Sequence, residues 1–309
     1  MTYGMLLGEG ERLLQGAGIA EAGLDAWYLF SHCFSMDRGA YFLHRGETLS
    51  EGETEAKEGF LRLVDRRRKR IPLQQILGSQ EFMGLSFFVN EHVLIPRQDT
   101  ETLVETVLSS ERRRQPTRLL DLCTGSGCIG LSLAVYLPGE WHTWDGIPRE
   151  QSREEKSEAG RARMEIILSD VSEKALLVAE ENIGRLGLER LCTITQSDLF
   201  EAFEEQQFDC IVSNPPYIAE GEIEKLSPEV RDHEPGMALN GGKDGLTFYR
   251  AISEEAMKYL VPGGRLYLEI GWDQGRSVPR LLQTAGFVSI EVVKDLTGND
   301  RVVKAARPE

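Results

Sequence analysis

Long apolar runs are missing from this chain. No stretch approaches the roughly 20 residues a membrane-spanning helix needs, so no such helix is expected. Met1 to Glu11 holds no basic segment ahead of a long apolar core, so no signal peptide is expected either. Cysteine is scarce. The five thiols, at 33, 123, 128, 192 and 210, lack the short paired spacings of a metal site, and an odd number argues against a disulfide framework. Such usage suits a reducing cytoplasm. Positive charge is also in short supply, with 35 Lys and Arg against 50 Asp and Glu and a net charge of −15. Phosphate binding depends on neutralisation by Lys and Arg, so a broad nucleic-acid surface is not expected. One local basic run, Arg66-Arg67-Arg68-Lys69-Arg70, reads as a solvated helix end favoured by the macrodipole. No internal repeat is visible.

What is present is a globular composition spread over 309 residues, enough for a large core and two domains. Residues 1–75 read as helical. Leu6, Leu7, Leu13 and Leu14 share one helix face, and Leu24, Trp27, Tyr28, Phe30 and Phe34 form a second amphipathic stretch. Ser50 with Glu53 three residues on is a capping-box signal for a third helix. No catalytic cluster stands out here, and His32 and His44 read as surface or packing residues. A small helical domain of this kind suits substrate recognition. Residues 76–96 read as a linker built on a β-hairpin, with its turn near Gly84. Residues 97–309 then form the larger domain. From Arg118 strands and helices alternate, which implies a parallel sheet with helices on both faces. Phe287–Val293 and Val302–Ala305 read as a terminal antiparallel pair. The charged, apolar-poor stretch 138–163 is longer than ordinary connections and reads as an exposed insertion.

The chemistry concentrates at strand ends. Phe208-Asp209-Cys210-Ile211-Val212 reads as a buried strand, and Ser213-Asn214-Pro215-Pro216-Tyr217 follows it. Neither proline has an N–H for a ladder, so pairing stops and Asn214 is held on a stiff turn at the strand's carboxyl end. Ligands of open α/β sheets bind there. A side-chain carbonyl and a nearby backbone carbonyl converge as two acceptors, which suits a planar –NH2 group. A second signal is Asp121-Leu122-Cys123-Thr124-Gly125-Ser126-Gly127-Cys128, which joins a strand to a helix. Its small residues allow close backbone approach, and the helix start offers free N–H groups. Gly125, Gly127 and Gly130 formally satisfy the dinucleotide fingerprint, but the loop would equally hold the amino-acid and ribose parts of S-adenosylmethionine. Asp170, after the next strand, is placed to accept from ribose hydroxyls, and Asp198, after the third, from an adenine amino group. A nicotinamide enzyme would use the loop and the first acid. It would have no evident use for Asn-Pro-Pro-Tyr.

Taken together these segments resemble the class I S-adenosylmethionine-dependent methyltransferases that act on nitrogen, and most closely the release factor glutamine methyltransferases, the HemK/PrmC family. The likeness runs through Gln75-Ile76-Leu77-Gly78, Leu94-Ile95-Pro96-Arg97, Thr124-Gly125-Ser126-Gly127, Ser197-Asp198-Leu199-Phe200, Asn214-Pro215-Pro216-Tyr217-Ile218, Leu268-Glu269-Ile270-Gly271 and Asp295-Leu296-Thr297-Gly298-Asn299-Asp300-Arg301. It implies an α/β fold: a seven-stranded Rossmann-like methyltransferase domain with a small N-terminal helical domain and a connecting β-hairpin. It also implies N5-methylation of the glutamine in the Gly-Gly-Gln motif of peptide chain release factors, with S-adenosyl-L-methionine as donor. The matched cofactor positions are Cys123, Thr124, Gly125, Ser126, Gly127, Asp170, Leu199 and Asn214, with Asp198 beside them. The substrate and catalytic positions are Asn214, Pro215, Pro216 and Tyr217, with Tyr217 packing on the amide plane. Phe82, Arg97 and Glu269 are weaker cleft candidates. Cys123 stands where the family more often has glycine, and the 138–163 stretch is not a general family feature. Rival readings are methylation of a glutamine in a large-subunit ribosomal protein, adenine-N6 methylation of nucleic acid, and a cofactor-binding module without catalysis.

Overall fold

The computed structural model describes residues 1–114, 116–137 and 164–309; the stretch 138–163, read from the sequence as an exposed insertion, lies outside the described residues. The chain divides into two compact units. One holds Met1–Ser79 together with Leu226–His233; the other holds Gln80–Lys225 and Glu234–Glu309.

The first unit is helical. It contains α1 (Tyr3–Gly16), α2 (Ala22–Phe34), α3 (Arg38–His44), α4 (Thr54–Arg68) and α5 (Leu73–Leu77). Leu6, Leu14, Leu29, Phe30, Phe60 and Val64 are fully buried and form its core. The Ser50–Glu53 capping box is present and precedes α4 by a single 3₁₀ turn. The segment α3 was not legible because it buries no residue and so carries no apolar stripe. The basic run departs from the expected solvated helix end. Arg67 is buried; its Nε donates to Asp25 Oδ2 at 2.6 Å and its Nη2 to Glu229 Oε1 at 3.0 Å. Arg70 Nη1 donates to the same Glu229 oxygen. Those acceptors lie far away in sequence, so no local pattern announces them.

The second unit opens with a short hairpin, β1 (Gln80–Phe82) paired antiparallel with β2 (Leu85–Phe87). Next come α6 (Gln98–Glu111), β3 (Arg118–Leu122), α7 (Cys128–Tyr136), β4 (Glu165–Asp170), α8 (Glu173–Leu186), β5 (Cys192–Gln196) and β6 (Phe208–Ser213). The short helices α9 (Glu220–Ile223), α10 (Pro228–His233) and α11 (Gly236–Leu239) follow, of which α10 lies in the helical unit. The chain ends with α12 (Thr247–Tyr259), β7 (Leu260–Glu269), α13 (Ser277–Thr284), β8 (Val288–Lys294) and β9 (Asp300–Ala306). Seven strands form one sheet in the order β5-β4-β3-β6-β7-β9-β8. Its first five strands run parallel, and β9 lies antiparallel between β7 and β8. Separate apolar clusters pack against its two faces, the condition under which parallel strands become near-continuous hydrophobic runs. Leu119, Leu120, Ile166, Leu168, Ile211 and Val212 are accordingly fully buried. The strand order reverses between β3 and β6, a topological switch point that opens a crevice at the carboxyl ends of the strands.

Candidate active site

A solvent-open cleft of about 1020 Å³ sits at that crevice, within the α/β unit. Its walls come from the ends of successive strands: Leu122 to Ser126 after β3, Ser169 and Asp170 from β4, Ser197 to Leu199 after β5, and Asn214 and Pro216 after β6. The turn after the hairpin adds His92 to Leu94, Pro96 and Arg97, α6 adds Thr100, and α11 adds Met237 and Ala238.

The glycine loop is braced from beneath by a residue that the sequence reading passed over. Asp121 is fully buried near the end of β3, where its Oδ2 accepts from Thr124 Oγ1 at 2.7 Å and from Gly130 N at 2.9 Å. Burial pushes its pKa up to about 7, against the pull of those two donors. Gly125 has φ +55°, and a side chain there would project into open space. Gly130, by contrast, has no room, because a Cβ would press on Asp121 and Leu168. Cys123 stands at φ +57° and Leu199 at φ +47°, so two cleft residues hold the left-handed conformation without being glycine. The Cys123 thiol pKa is driven up by burial and by the Asp170 carboxylate, so the group is neutral. Asn182 was also passed over. It is buried on α8, where its Nδ2 donates to Ser126 O and Phe88 O and its Oδ1 accepts from Phe88 N, tying the loop to the segment that follows the hairpin. A polar residue on the apolar face of α8, beside Val178, Ala179 and Ile183, was the available signal.

Asp170 ends β4. Its Oδ2 accepts from Gly125 N at 3.0 Å and its Oδ1 from Ser172 N at 2.9 Å. Burial raises its pKa, while the N–H groups of Ser172, Gly125 and Val171 hold it down. A carboxylate oxygen accepts more than one hydrogen bond, so capacity remains for ribose hydroxyls. Ser172, rather than Asp170, caps α8 through its bond from Ala175 N. These residues fit S-adenosylmethionine: a loop whose one glycine faces open space, an acceptor pair at the next strand end, and Asp198 and Leu199 at the third.

Asn214 follows β6, the strand paired beside β3. Its Nδ2 donates to Thr100 Oγ1 at 3.4 Å. The turn beneath it is fixed by Ser213 Oγ, which donates to Leu122 O at 2.8 Å and so joins the ends of β6 and β3. Of the residues expected at the site, Gly127, Pro215 and Tyr217 do not line the cleft. Gly127 turns at φ +82° into α7, where it stands as N-cap. Tyr217 does not lie over the cleft as expected. Its ring packs against the core cluster under β6 and β7, and its carbonyl accepts from Gln274 Nε2 at 3.1 Å. Phe82 is a core residue, stacked edge-on to Phe87. Arg97 lines the cleft and is paired with the buried Glu234. Glu269 does not line the cleft; it stands behind Asn214. Among the described residues no group of His, Cys, Asp and Glu side chains has the arrangement of a metal site, and no helix is long and apolar enough to cross a membrane.

Known proteins match both units. Residues 5–78 match the PrmC N-terminal domain family and residues 156–228 the methyltransferase small domain family. The chain is 38% identical over 304 residues to a release factor glutamine methyltransferase of Clostridium botulinum, with 98% of each protein covered. It is 40% identical over 288 residues to that of Geobacter sulfurreducens, covering 93% of this chain and 90% of the relative. The match to the Moorella thermoacetica protein of the same name is 38% over 310 residues and the whole of both chains. In fold, the chain is similar to a crystal structure of a Pyrococcus furiosus methyltransferase (TM-score 0.51, 18% identity, 79% of this chain and 100% of that one). Identity this high, sustained end to end across both units, means that the chain belongs to the family of release factor glutamine methyltransferases.

Proposed function

We propose that this protein methylates the side-chain amide nitrogen of the glutamine in the Gly-Gly-Gln motif of peptide chain release factors, with S-adenosyl-L-methionine as donor. The observation that carries the reading is the placement of Asn214 in one cleft with the glycine loop and Asp170. When bound, the cofactor supplies a methyl group on an electrophilic sulfonium. The protein's task is to present a poor nucleophile to it, because an amide lone pair is delocalised into its carbonyl.

Residues 123–126, Asp170, Asp198 and Leu199 hold the cofactor, and Gly127 turns the loop into α7. Asn214 Oδ1, on the cleft wall, accepts from an N–H bond of the substrate amide and aims its nitrogen at the methyl, while Pro215, which does not line the cleft, stiffens the turn that carries Asn214. Holding reactants in line removes much of the entropic barrier, so orientation is the main catalytic term. As positive charge develops on nitrogen the Asn214 acceptor binds more strongly, which favours the transition state over the ground state. Pro216 stiffens the turn and forms part of the wall. Tyr217 supports the turn from the core. The proton leaves the nitrogen after transfer, and no strong base is required. The helical residues 1–75 serve as the recognition module for the protein substrate, and 76–96 join them to the catalytic residues 97–309. The substrate is protein alone, with no nucleic acid or membrane partner, and the enzyme works in the cytoplasm, where translation terminates.

The test is intact-mass and peptide-mapping analysis of a release factor incubated with the protein and S-adenosylmethionine. One added methyl, about 14 Da, on the Gly-Gly-Gln glutamine is expected, and Asn214→Ala is expected to slow turnover by about 100-fold or more with cofactor affinity kept. An unmodified release factor with cofactor bound would overturn the substrate, and a ribosomal protein glutamine would be tried next.

A further inference from the structure

Behind Asn214 lies a buried carboxyl with no part in the steps above. Glu269 closes β7, and the register that pairs Ser213 with Leu268 sets Asn214 beside Glu269 at the sheet's carboxyl edge. Glu269 is 1% exposed, and its Oε2 is a buried oxygen with no hydrogen-bond partner. An orphaned carboxyl oxygen is costly and calls for a reason. Asn214 Nδ2 donates to Thr100 Oγ1 at 3.4 Å, so the –NH2 end of the amide is turned toward α6 rather than into the cleft, and Thr100 and Asn214 both favour the charged form of the neighbouring Glu269.

We propose that Glu269 is the positioning residue that fixes the Asn214 amide, drawing its –NH2 end toward Glu269 and Thr100 so that Oδ1 is left as the acceptor for the substrate. This rests on the methyl transfer to an amide nitrogen proposed above. An Asn side chain presents a donor at one end and an acceptor at the other, and only the acceptor suits a substrate –NH2. Without an anchor, the flipped amide would meet the substrate with a second donor. A carboxylate is an acceptor without a donor, so it selects one orientation. A protonated carboxyl carries an O–H and loses that selectivity.

The ionisation state of Glu269 therefore matters. Burial pushes its pKa up to about 7, against the influence of the Thr100 and Asn214 side chains and the charge of Arg301. The groups facing it are Asp99 on α6, Tyr217 after β6, Tyr249 on α12, whose hydroxyl donates to Glu269 O, Cys128 on α7 and Arg301 on β9. Arg301 is itself shared with Asp99 at 3.0 Å and Asp295 at 3.2 Å, which weakens its hold on Glu269.

The experiment compares wild type with Glu269→Gln and Glu269→Leu. Turnover at saturating cofactor is expected to rise with pH through a limb near 7 in the wild type. Glu269→Gln, which keeps an acceptor and cannot ionise, is expected to stay within about threefold of wild type at the low-pH end and to lack the limb. Glu269→Leu is expected to lose about 30-fold or more in kcat while cofactor Kd changes less than about twofold. Asp121 also titrates near 7, but it holds the cofactor loop, so its limb belongs to cofactor Kd and survives in Glu269→Gln. An undiminished kcat in Glu269→Leu, a wild-type limb in Glu269→Gln, or a parallel loss of cofactor affinity would overturn the assignment. A second readout needs neither substrate nor turnover. The Asn214 side-chain amide signal in a ¹⁵N correlation spectrum, identified by its loss in Asn214→Ala, is expected to titrate near 7 in the wild type and not in Glu269→Gln. If no methyl is transferred yet that titration is seen, the proposed function falls and the anchor stands; a signal indifferent to pH removes the anchor.

Discussion

Cys123 and Leu199 line the cleft in a backbone conformation that favours glycine. An L-residue pays roughly 1–2 kcal/mol to sit there, because Cβ crowds the neighbouring carbonyl. Cys123→Gly removes that strain but adds freedom to the unfolded chain, so the two effects nearly offset. The expected result is a thermal midpoint within a few degrees of wild type, about 3 °C, and unchanged cofactor affinity. Cys123→Val, β-branched, is expected to lower both, and a valine variant as stable as wild type would show that the loop is not strained. Gly130 obeys the opposite constraint. Its missing Cβ is demanded by packing, since Asp121 Oδ2 would lie 2.9 Å from it. Gly130→Ala is therefore expected to cost about 1–3 kcal/mol in chemical denaturation, through overpacking rather than backbone strain. The strand-end residues Asn214 and Asp170 were legible in the sequence because prolines and caps mark where strands stop. Asp121 and Asn182 were not. Each looks like an interruption of an apolar pattern, and only the fold reveals that the polar atom meets a loop backbone. Tyr217 misled in the other direction, since a motif gives adjacency along the chain but not the direction of a ring.

At the scale of elements, alternation of apolar runs and amphipathic stretches announced the strands and helices of the parallel half of the sheet. The terminal pair β8 and β9 was also legible as antiparallel, but its place was not. Nothing local records that β9 sits against β7, because that choice is made by the buried faces of Val302, Val303 and Ala305. The basic run at the end of α4 shows the same limit. As a charge pattern it suggests solvent, whereas Arg67 serves as the hub of a buried network with Asp25 and Glu229. Glu229 belongs to α10, and with Gln75 Nε2 donating to His233 O and the contact of His233 Nε2 with Lys69 O it anchors that helix in the helical unit. Removing one partner from a buried ion network leaves the others uncompensated, at a cost of about 3–5 kcal/mol for a fully buried pair and less here, where Glu229 is partly exposed. Glu229→Gln is thus expected to speed amide hydrogen exchange across residues 226–233 and α4 while leaving β3 and β6 protected. Uniform exchange acceleration across both units would contradict the division of the chain.

For the molecule as a whole, the buried carboxyls set how stability responds to pH. Burial raises Asp121 from 3.8 and Glu269 from 4.5, each to about 7. A carboxyl with a raised folded-state pKa holds its proton more tightly in the native protein than in the unfolded chain. Its contribution is therefore fully present below the unfolded value and is lost as pH rises through the folded one. Both groups act in the same direction over the same window, so the α/β unit is expected to lose stability between about pH 4.5 and about pH 7 and then to level off. The net charge of −15 adds self-repulsion with the same sign. Glu229 runs the other way: burial raises its pKa, but hydrogen bonds from Arg70 and Arg67 bring it below 4.5 overall, so its contribution is lost only as pH falls below that value. The window above about pH 5 is consequently governed by the raised carboxyls, Asp121 and Glu269 foremost, with Asp170, Glu105 and Glu234 shifted in the same direction by burial. Thermal unfolding followed from about pH 5 to about pH 8 at constant ionic strength is expected to show a falling midpoint in the wild type. Glu269→Gln and Asp121→Asn should each flatten the slope, and together flatten it further, because the two side chains occupy different strand ends. A midpoint that climbs across that range in the wild type would mean that both groups are ionised at little cost, and would remove the physical basis for a titrating anchor behind Asn214.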